Sequence, residues 1–167
     1  MRLRAVELED ADLFYKWEND MELWGVSDTL RPFSRYALEQ YVIGSQNESI
    51  YATRQMRLMI ELEDGQTVGC VDLYDFEPRN SKAAVGIMID KAFRTKGLAV
   101  QALEQLWQYV RRIYGLNQLY AFVPCDNEPS RRLFLAAGYE HTARLRQWIM
   151  TDKQYKDVDL YQKTDVK

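Results

Sequence analysis

Two cations and a glycine stand close together at Arg94, Lys96 and Gly97, in the run Arg94-Thr95-Lys96-Gly97-Leu98-Ala99. Downstream, the apolar residues Ala99, Leu103, Leu106, Val110 and Ile113 recur at three- and four-residue spacing. That pattern predicts a helix with one buried face, ended by Gly115. The basic residues therefore fall at the helix start, where the first-turn N–H groups have no partner within the helix and the dipole is positive. Unpaired donors, a positive helix end and two cationic side chains together make a site for a phosphate or pyrophosphate. Glycine at that point lets a ligand approach the backbone. Neither GxxxxGK[ST] nor GxGxxG spacing is present, so a P-loop and a dinucleotide fingerprint are excluded. Ala83 to Ile89, just upstream, is a short apolar run of the length of one buried strand.

A second group of residues follows the helix. Leu119 to Val123 predicts a short strand, and Pro124 to Ser130 is dense in turn formers. Asn127 suits a helix N-cap with Pro129 in the first turn; Leu133, Phe134 and Ala137 then face inward, and Gly138 ends the helix. The carboxylates Asp72 and Asp75 fall on a predicted strand, Thr67 to Phe76. Their spacing of three puts them on opposite faces, so at most one can serve a site, and for each a solvated side chain is the plainer assignment. Cys125 is best taken as a small buried filler, with Asp126 beside it, and His141 as a surface histidine. The chain holds 4 Trp, 11 Tyr and 6 Phe, more than a core of this size needs. Trp17, Trp24, Tyr41, Tyr74 and Trp148 are expected mainly in the core, with Trp24 and Tyr74 able to border a pocket.

Further elements frame these groups. Arg2 to Val6 predicts a strand, and Ala11 to Asn19 a helix with Asp10 as N-cap and Leu13, Phe14 and Trp17 on one face. Met21 to Phe33 has no period. Ser34 caps a helix from Arg35 to about Gly44. Gln55 to Glu61 alternates as a strand, and Asp64-Gly65 is the strongest hairpin signal in the chain. Thr142 to Met150 and Lys156 to Gln162 predict two closing strands around Thr151-Asp152-Lys153.

At 167 residues and 47% hydrophobic content, the chain suits one globular domain, residues 1–167. No apolar run reaches a membrane span, and Met1-Arg2-Leu3-Arg4 is not followed by a signal segment, so a cytoplasmic protein without membrane contact is expected. Two cysteines give neither a disulfide scaffold nor metal spacing, and no metal is expected. A formal net charge of −3 argues against broad nucleic-acid binding.

Arg94 to Ala99 has the form R-x-x-G-x-A and resembles the signature turn of the GNAT superfamily of acetyl-CoA-dependent N-acetyltransferases. Asn127 to Tyr139, N-x-x-S-x-x-x-F-x-x-x-G-Y, resembles the second GNAT signature. The opening LRAVELEDADLFYKWEND and the closing RQWIMTDKQYKDVDLY resemble the branch holding the ribosomal-protein N-terminal and polyamine acetyltransferases. The likeness covers nearly the whole chain in the order β-α-α-β-β-β-α-β-α-β-β.

It implies an α/β (α+β) GNAT fold: a central mixed, mostly antiparallel sheet, flanked by helices, whose middle strands splay near Ile89 and Val123 to admit acetyl-CoA. It further implies that the main chain of Ile87, Met88 and Ile89 pairs with pantetheine amides. Arg94, Thr95, Lys96, Gly97, Leu98 and Ala99 would hold the pyrophosphate, and Asn127, with Ser130 and Phe134 on the helix wall, the pantetheine arm and thiol. The implied reaction is direct attack of a primary amine on the thioester. The acceptor would be a small amine, a polyamine or a protein N-terminus, and self-association is left open. Two positions depart from the family. Phe134 stands where many relatives have a tyrosine acid, and Ala84 where many have a glutamate on the central strand. No catalytic residue follows firmly, Asp75 and Asp72 being the remaining candidates, and an acyl-CoA-binding module without turnover is the alternative. The segment Ser27 to Arg35 balances one Asp against two Arg, unlike the acid-rich segment of polyamine enzymes.

Overall fold

The computed structural model describes residues 1–24, 31–151 and 153–165. Its strands are β1 (Arg2–Arg4), β2 (Met56–Glu61), β3 (Thr67–Glu77), β4 (Lys82–Ile89), β5 (Gln118–Pro124), β6 (Glu140–Thr151) and β7 (Gln154–Thr164). The helices are α1 (Ala11–Glu18), α2 (Met21–Trp24), α3 (Arg35–Asn47), α4 (Ile50–Thr53), α5 (Leu98–Tyr114) and α6 (Glu128–Ala136). The strands form one sheet in the order β1-β2-β3-β4-β5-β7-β6, with β4–β5 the one parallel pair among the described residues. The expected mixed, mostly antiparallel sheet is what the chain adopts.

Two layers of helix cover the sheet. On one face, Leu103, Leu106, Trp107 and Val110 of α5 pack on Val71, Leu73, Phe76, Ala83, Val85, Leu119, Ala121 and Val123. On the other, Phe14, Trp17, Leu38 and Val42 of α1 and α3 cover Met59 and Cys70. Burial of each such side chain is worth about 2 kcal/mol. Arg4 ties the N-terminal half together, bonding Asp10, Glu61 and Thr67.

Several local expectations shift. Asp10 is no N-cap of α1: its own backbone is helical, and its carboxylate accepts from the Glu7 N–H at 2.8 Å and from Arg4. Strand β1 stops at Arg4, α3 continues to Asn47, and Met21–Trp24 is a short helix where no period was visible. The rest of that aperiodic stretch, residues 25–30, lies outside the described residues, as does Asp152 of the closing turn. Ile113 is exposed, Tyr114 beside it taking the core-facing place in the last turn of α5, and Trp148 lies on the exposed face of edge strand β6 rather than in the core. The Asp64-Gly65 hairpin, the Ser34 and Asn127 caps and the Gly115 C-cap form as expected.

Candidate active site

The central parallel pair is very short. β4 and β5 are in register only at Lys82↔Gln118, Ala83↔Leu119 and Ala84↔Tyr120. Beyond Ala84, β4 follows β3 to Ile89, and β5 follows β7 to Pro124. The middle of the sheet therefore opens, and among the described residues the edge of Val85–Ile89 that faces β5 has no strand partner. Ile87, Met88 and Ile89, the expected pantetheine partners, lie on that edge. The other edge is locked to β3. A Cβ on Gly69 would lie 2.2 Å from the Met88 carbonyl oxygen, so only glycine lets the two strands close there.

The basic turn follows directly. Asp90 accepts from Lys16 Nζ at 2.6 Å, from Trp17 Nε1 at 2.9 Å and from the Ala92 N–H at 3.1 Å. These donors, Lys16 foremost, hold its carboxyl down at about 2 although burial pulls the other way. Thr95 and Gly97 have φ of 67° and 74°, two left-handed residues that turn the chain into α5. Among the described residues no side chain caps α5, which leaves its first-turn N–H groups available, and none lies within 4 Å of a Cβ on Gly97. Arg94 reaches back to donate from Nε to the Ile89 carbonyl at 2.9 Å, and Lys96 Nζ lies 5.0 Å from the Phe93 ring centroid.

Across the opening stands α6. Asn127 caps it, accepting from the Ser130 N–H at 3.2 Å. Phe134 is 4% exposed and packs edge-on to Tyr139, with centroids 5.1 Å apart, and against Tyr161. Near the helix start, the fully buried Asp159 receives Arg144 in two bonds of 2.8 and 3.1 Å, and His141 Nε2 at 3.1 Å. Arg144 first, with His141 and the Cys125 thiol, keeps its carboxyl at about 2 against the cost of burial. Burial and Asp159 push the Cys125 thiol up, so Cys125 and His141 belong to a structural cluster.

Asp72 and Asp75 part company. Asp72 is held by Arg57 Nε at 2.5 Å and Nη2 at 3.1 Å, while Arg57 Nη1 reaches Glu18 at 2.8 Å. Burial would weaken the hold of Arg57 on its proton, but Asp72 outweighs it and the guanidinium pKa is raised. Asp75 sits at φ 49° in a bulge between Tyr74 and Glu77, which cancels the simple alternation expected from its spacing. It is exposed and close enough to Tyr120 to help burial raise that phenol's pKa. On this face Tyr74, Ala84 and Tyr120 lie side by side across three strands, and Ala84 is fully covered.

Set beside known proteins, residues 1–140 match the family model of the acetyltransferase (GNAT) domain. The chain belongs to the GNAT family. It is 24% identical over 162 residues to the N-acetyltransferase p20 of Bacillus licheniformis, covering 96% of this chain and 90% of that protein. To the ribosomal-protein-serine acetyltransferase of Escherichia coli (strain K12) it is 23% identical over 115 residues, 69% of this chain and 64% of that one. The spermidine N-acetyltransferase of Vibrio cholerae, solved with CoA and spermine, superposes with a TM-score of 0.85 at 21% identity, covering 98% and 94% of the two chains. GNAT membership makes the protein an N-acetyltransferase with acetyl-CoA as cosubstrate. Among the described residues, no helix is long and apolar enough to cross a membrane, and no cluster of His, Cys, Asp and Glu is arranged to hold a metal.

Asp90, Arg57, Asp159 and Tyr120 escaped the GNAT reading of the sequence. Asp90 carried a signal, an acid directly before a 3₁₀ turn, Lys91–Phe93, which it caps. The others depend on strand register, which one sequence does not display.

Proposed function

We propose that the protein transfers the acetyl group of acetyl-CoA to a primary amine by direct attack on the thioester. The observation that carries this is the end of β4–β5 pairing at Ala84↔Tyr120, which leaves an open strand edge leading to the uncapped start of α5. In this reading Leu98, Ala99 and the Gly97 turn present N–H groups to the pyrophosphate, with Arg94, Thr95 and Lys96 around it. Ile87, Met88 and Ile89 offer backbone groups to the pantetheine amides, except that the Ile89 carbonyl already serves Arg94. Asn127, Ser130 and Phe134 form the opposite wall, Asn127 acting chiefly through the helix it caps.

An amide N–H on the open edge is placed to receive charge developing on the thioester oxygen, a contribution of about 3–4 kcal/mol in comparable sites. Holding amine and thioester together supplies much of the rest. An alkylammonium, with pKa about 10, must first lose a proton, and no carboxylate stands at position 84 to take it. Neither Ala84 nor Phe134 can transfer a proton, and this supports a second reading, an acyl-CoA-binding module without turnover. The spermidine and ribosomal-protein relatives bracket the acceptor between a polyamine and a protein N-terminus. One of the similar structures is a dodecamer of the Vibrio cholerae spermidine enzyme, which supports self-association here.

CoA release is the test, measured with acetyl-CoA against alkylamines, polyamines and N-terminal peptides. Acceptor-dependent release is expected. Tight acetyl-CoA binding with no release for any amine would establish the binding module instead.

A further inference from the structure

The stretch from Lys91 to Gly97 has little core beneath it. Phe93 is partly covered, and its neighbours in the stretch are exposed. A segment with so few buried apolar contacts has low local stability, and its polar bonds decide whether it keeps one shape. They converge on Asp90. Its N–H donates to the Val68 carbonyl at 2.9 Å, which carries the bonding of β4 to β3 one residue past Ile89. Its carbonyl accepts from the Phe93 N–H at 2.9 Å, and its Oδ1 from the Ala92 N–H. Oδ2 takes Lys16 Nζ and Trp17 Nε1, both from α1.

Those last two donors belong to the layer opposite α5. There the Trp17 ring is buried with Phe14, Leu38 and Val42, so its N–H is delivered from a fixed place. Lys16 differs, since most of its side chain is in solvent while the ammonium engages Asp90 and neutralises it. A second ion pair, Lys91 with Asp20 at 3.3 Å, joins the same two segments. The hold passes onward along the turn. Phe93, whose N–H bonds Asp90, carries Lys96 over its ring, and Arg94 is fastened to Ile89, the residue before Asp90. Both cations of the turn thus rest on residues that Asp90 holds or adjoins.

We propose that Asp90 is a positioning residue for acetyl-CoA: Lys16 and Trp17 of α1 hold it, and through it they pre-set the turn from Arg94 to Ala99 that takes the diphosphate. The inference rests on the acetyltransferase reading. It adds to that reading a group of residues, on the layer opposite α5, that govern cofactor affinity through the turn. A turn ordered in advance loses less freedom when the ligand arrives, and loosening the hold on Asp90 brings that loss back.

The experiment is titration calorimetry with CoA, joined by KM for acetyl-CoA and for an amine acceptor. Lys16→Met and Asp90→Asn should each raise Kd for CoA and KM for acetyl-CoA by roughly tenfold, the loss of one charge-assisted bond. Asp90→Ala, which also releases Trp17 and the Ala92 N–H, should lose more. Lys16→Arg should recover most of the affinity, and Trp17→Phe, which keeps a ring in the core, should lose about threefold. The double variant Lys16→Met, Asp90→Asn should bind no worse than the weaker single variant, because both remove the same bond. KM for the amine should move less than KM for acetyl-CoA. In the free protein, exchange of the Ala92 and Phe93 amide hydrogens should quicken. An unchanged Kd for CoA in folded Lys16→Met and Asp90→Asn overturns the inference and leaves the acetyl-CoA site standing. Additive losses in the double variant overturn it too, as does an equal rise in both KM values, the mark of general loosening. Should Asp90→Asn fail to fold, Lys16→Met and Trp17→Phe decide. Calorimetry decides even for a chain that binds without turnover, whereas a wild type that binds no CoA removes the acetyltransferase reading and this inference with it.

Discussion

Arg94 Nε and the carbonyl oxygen of Ile89 are 2.9 Å apart, so the first residue of the basic turn is fastened to the last residue of the open strand edge. The bond leaves the two terminal guanidinium nitrogens to meet an anion, and it sets their distance from α5. Arg94→Ala should therefore weaken acetyl-CoA binding by roughly ten- to a hundredfold, the range of a charge-assisted bond. Arg94→Lys should recover only part, since an ammonium supplies charge without the fork. Titration calorimetry with CoA is the measurement, and an unchanged Kd for folded Arg94→Ala would remove Arg94 from the site.

Gly97 separates charge from shape. A Cβ there meets nothing, and asparagine and aspartate are the side chains that best tolerate its φ of 74°. Gly97→Asn and Gly97→Asp should thus fold alike, each losing about 1 kcal/mol. Only the aspartate sets a negative charge against the pyrophosphate, and its Kd for CoA should exceed that of the asparagine variant by at least about tenfold. Equal affinities of the two would place the phosphates elsewhere.

Much of the frame was legible because period and turn chemistry are local. The α5 stripe, the Asp64-Gly65 hairpin and the caps at Ser34 and Asn127 each follow from residues within one element. The cleft was legible only through the likeness of two short signatures, since no local pattern says that β4 and β5 part after Ala84. What failed depended on pairing. Asp75 seemed opposed to Asp72 by alternation, yet a bulge inserts it at positive φ. Asp10 looked like a cap, but Arg4 and the Glu7 N–H claim its carboxylate. Arg57 meets Asp72 from another strand, 15 residues away in sequence.

Two buried carboxylates make acid stability predictable. Asp90 and Asp159 titrate at about 2 in the folded chain, below their ordinary 3.8. Folded values that are depressed add stability above the unfolded value, lost as pH falls through the folded one. The loss should fall between about pH 4 and 2, and amount to roughly 2 kcal/mol for Asp159, which has no exposed surface. Asp159→Asn should lower stability at pH 7 and flatten this limb of the urea-midpoint profile. A variant with the wild-type slope would assign the acid transition to other groups.

Tyr139 buries its hydroxyl with no hydrogen-bond partner among the described residues, and that burial raises its pKa. An unpaired buried hydroxyl costs more than it returns. Tyr139→Phe keeps the ring that packs on Phe134 and should leave the fold equally stable or gain up to about 1 kcal/mol. Urea unfolding measures this, and a loss of 1 kcal/mol or more would reveal a bound partner for the hydroxyl.

The last expectation concerns the proton that the acceptor must shed. Ala84 has no carboxylate and is fully covered in the row formed with Tyr74 and Tyr120, so the usual base has neither group nor room. Asp72 has both oxygens on Arg57, which leaves the exposed Asp75 and water to accept the proton. Water supplies no base tuned near neutrality. With an alkylamine of pKa about 10, kcat/KM should climb roughly tenfold per pH unit from 6 toward 9, following the neutral amine, with no plateau near 7. An acceptor of lower pKa should shift the whole curve down by the same interval. Asp75→Asn tests the remaining carboxylate: a loss below about threefold, with the slope intact, leaves water as the acceptor. A wild-type curve that levels off near pH 7, independent of the amine's own pKa, would mean that a base outside this cleft inventory does the work, and the residues facing the cleft would then be replaced one by one to find it.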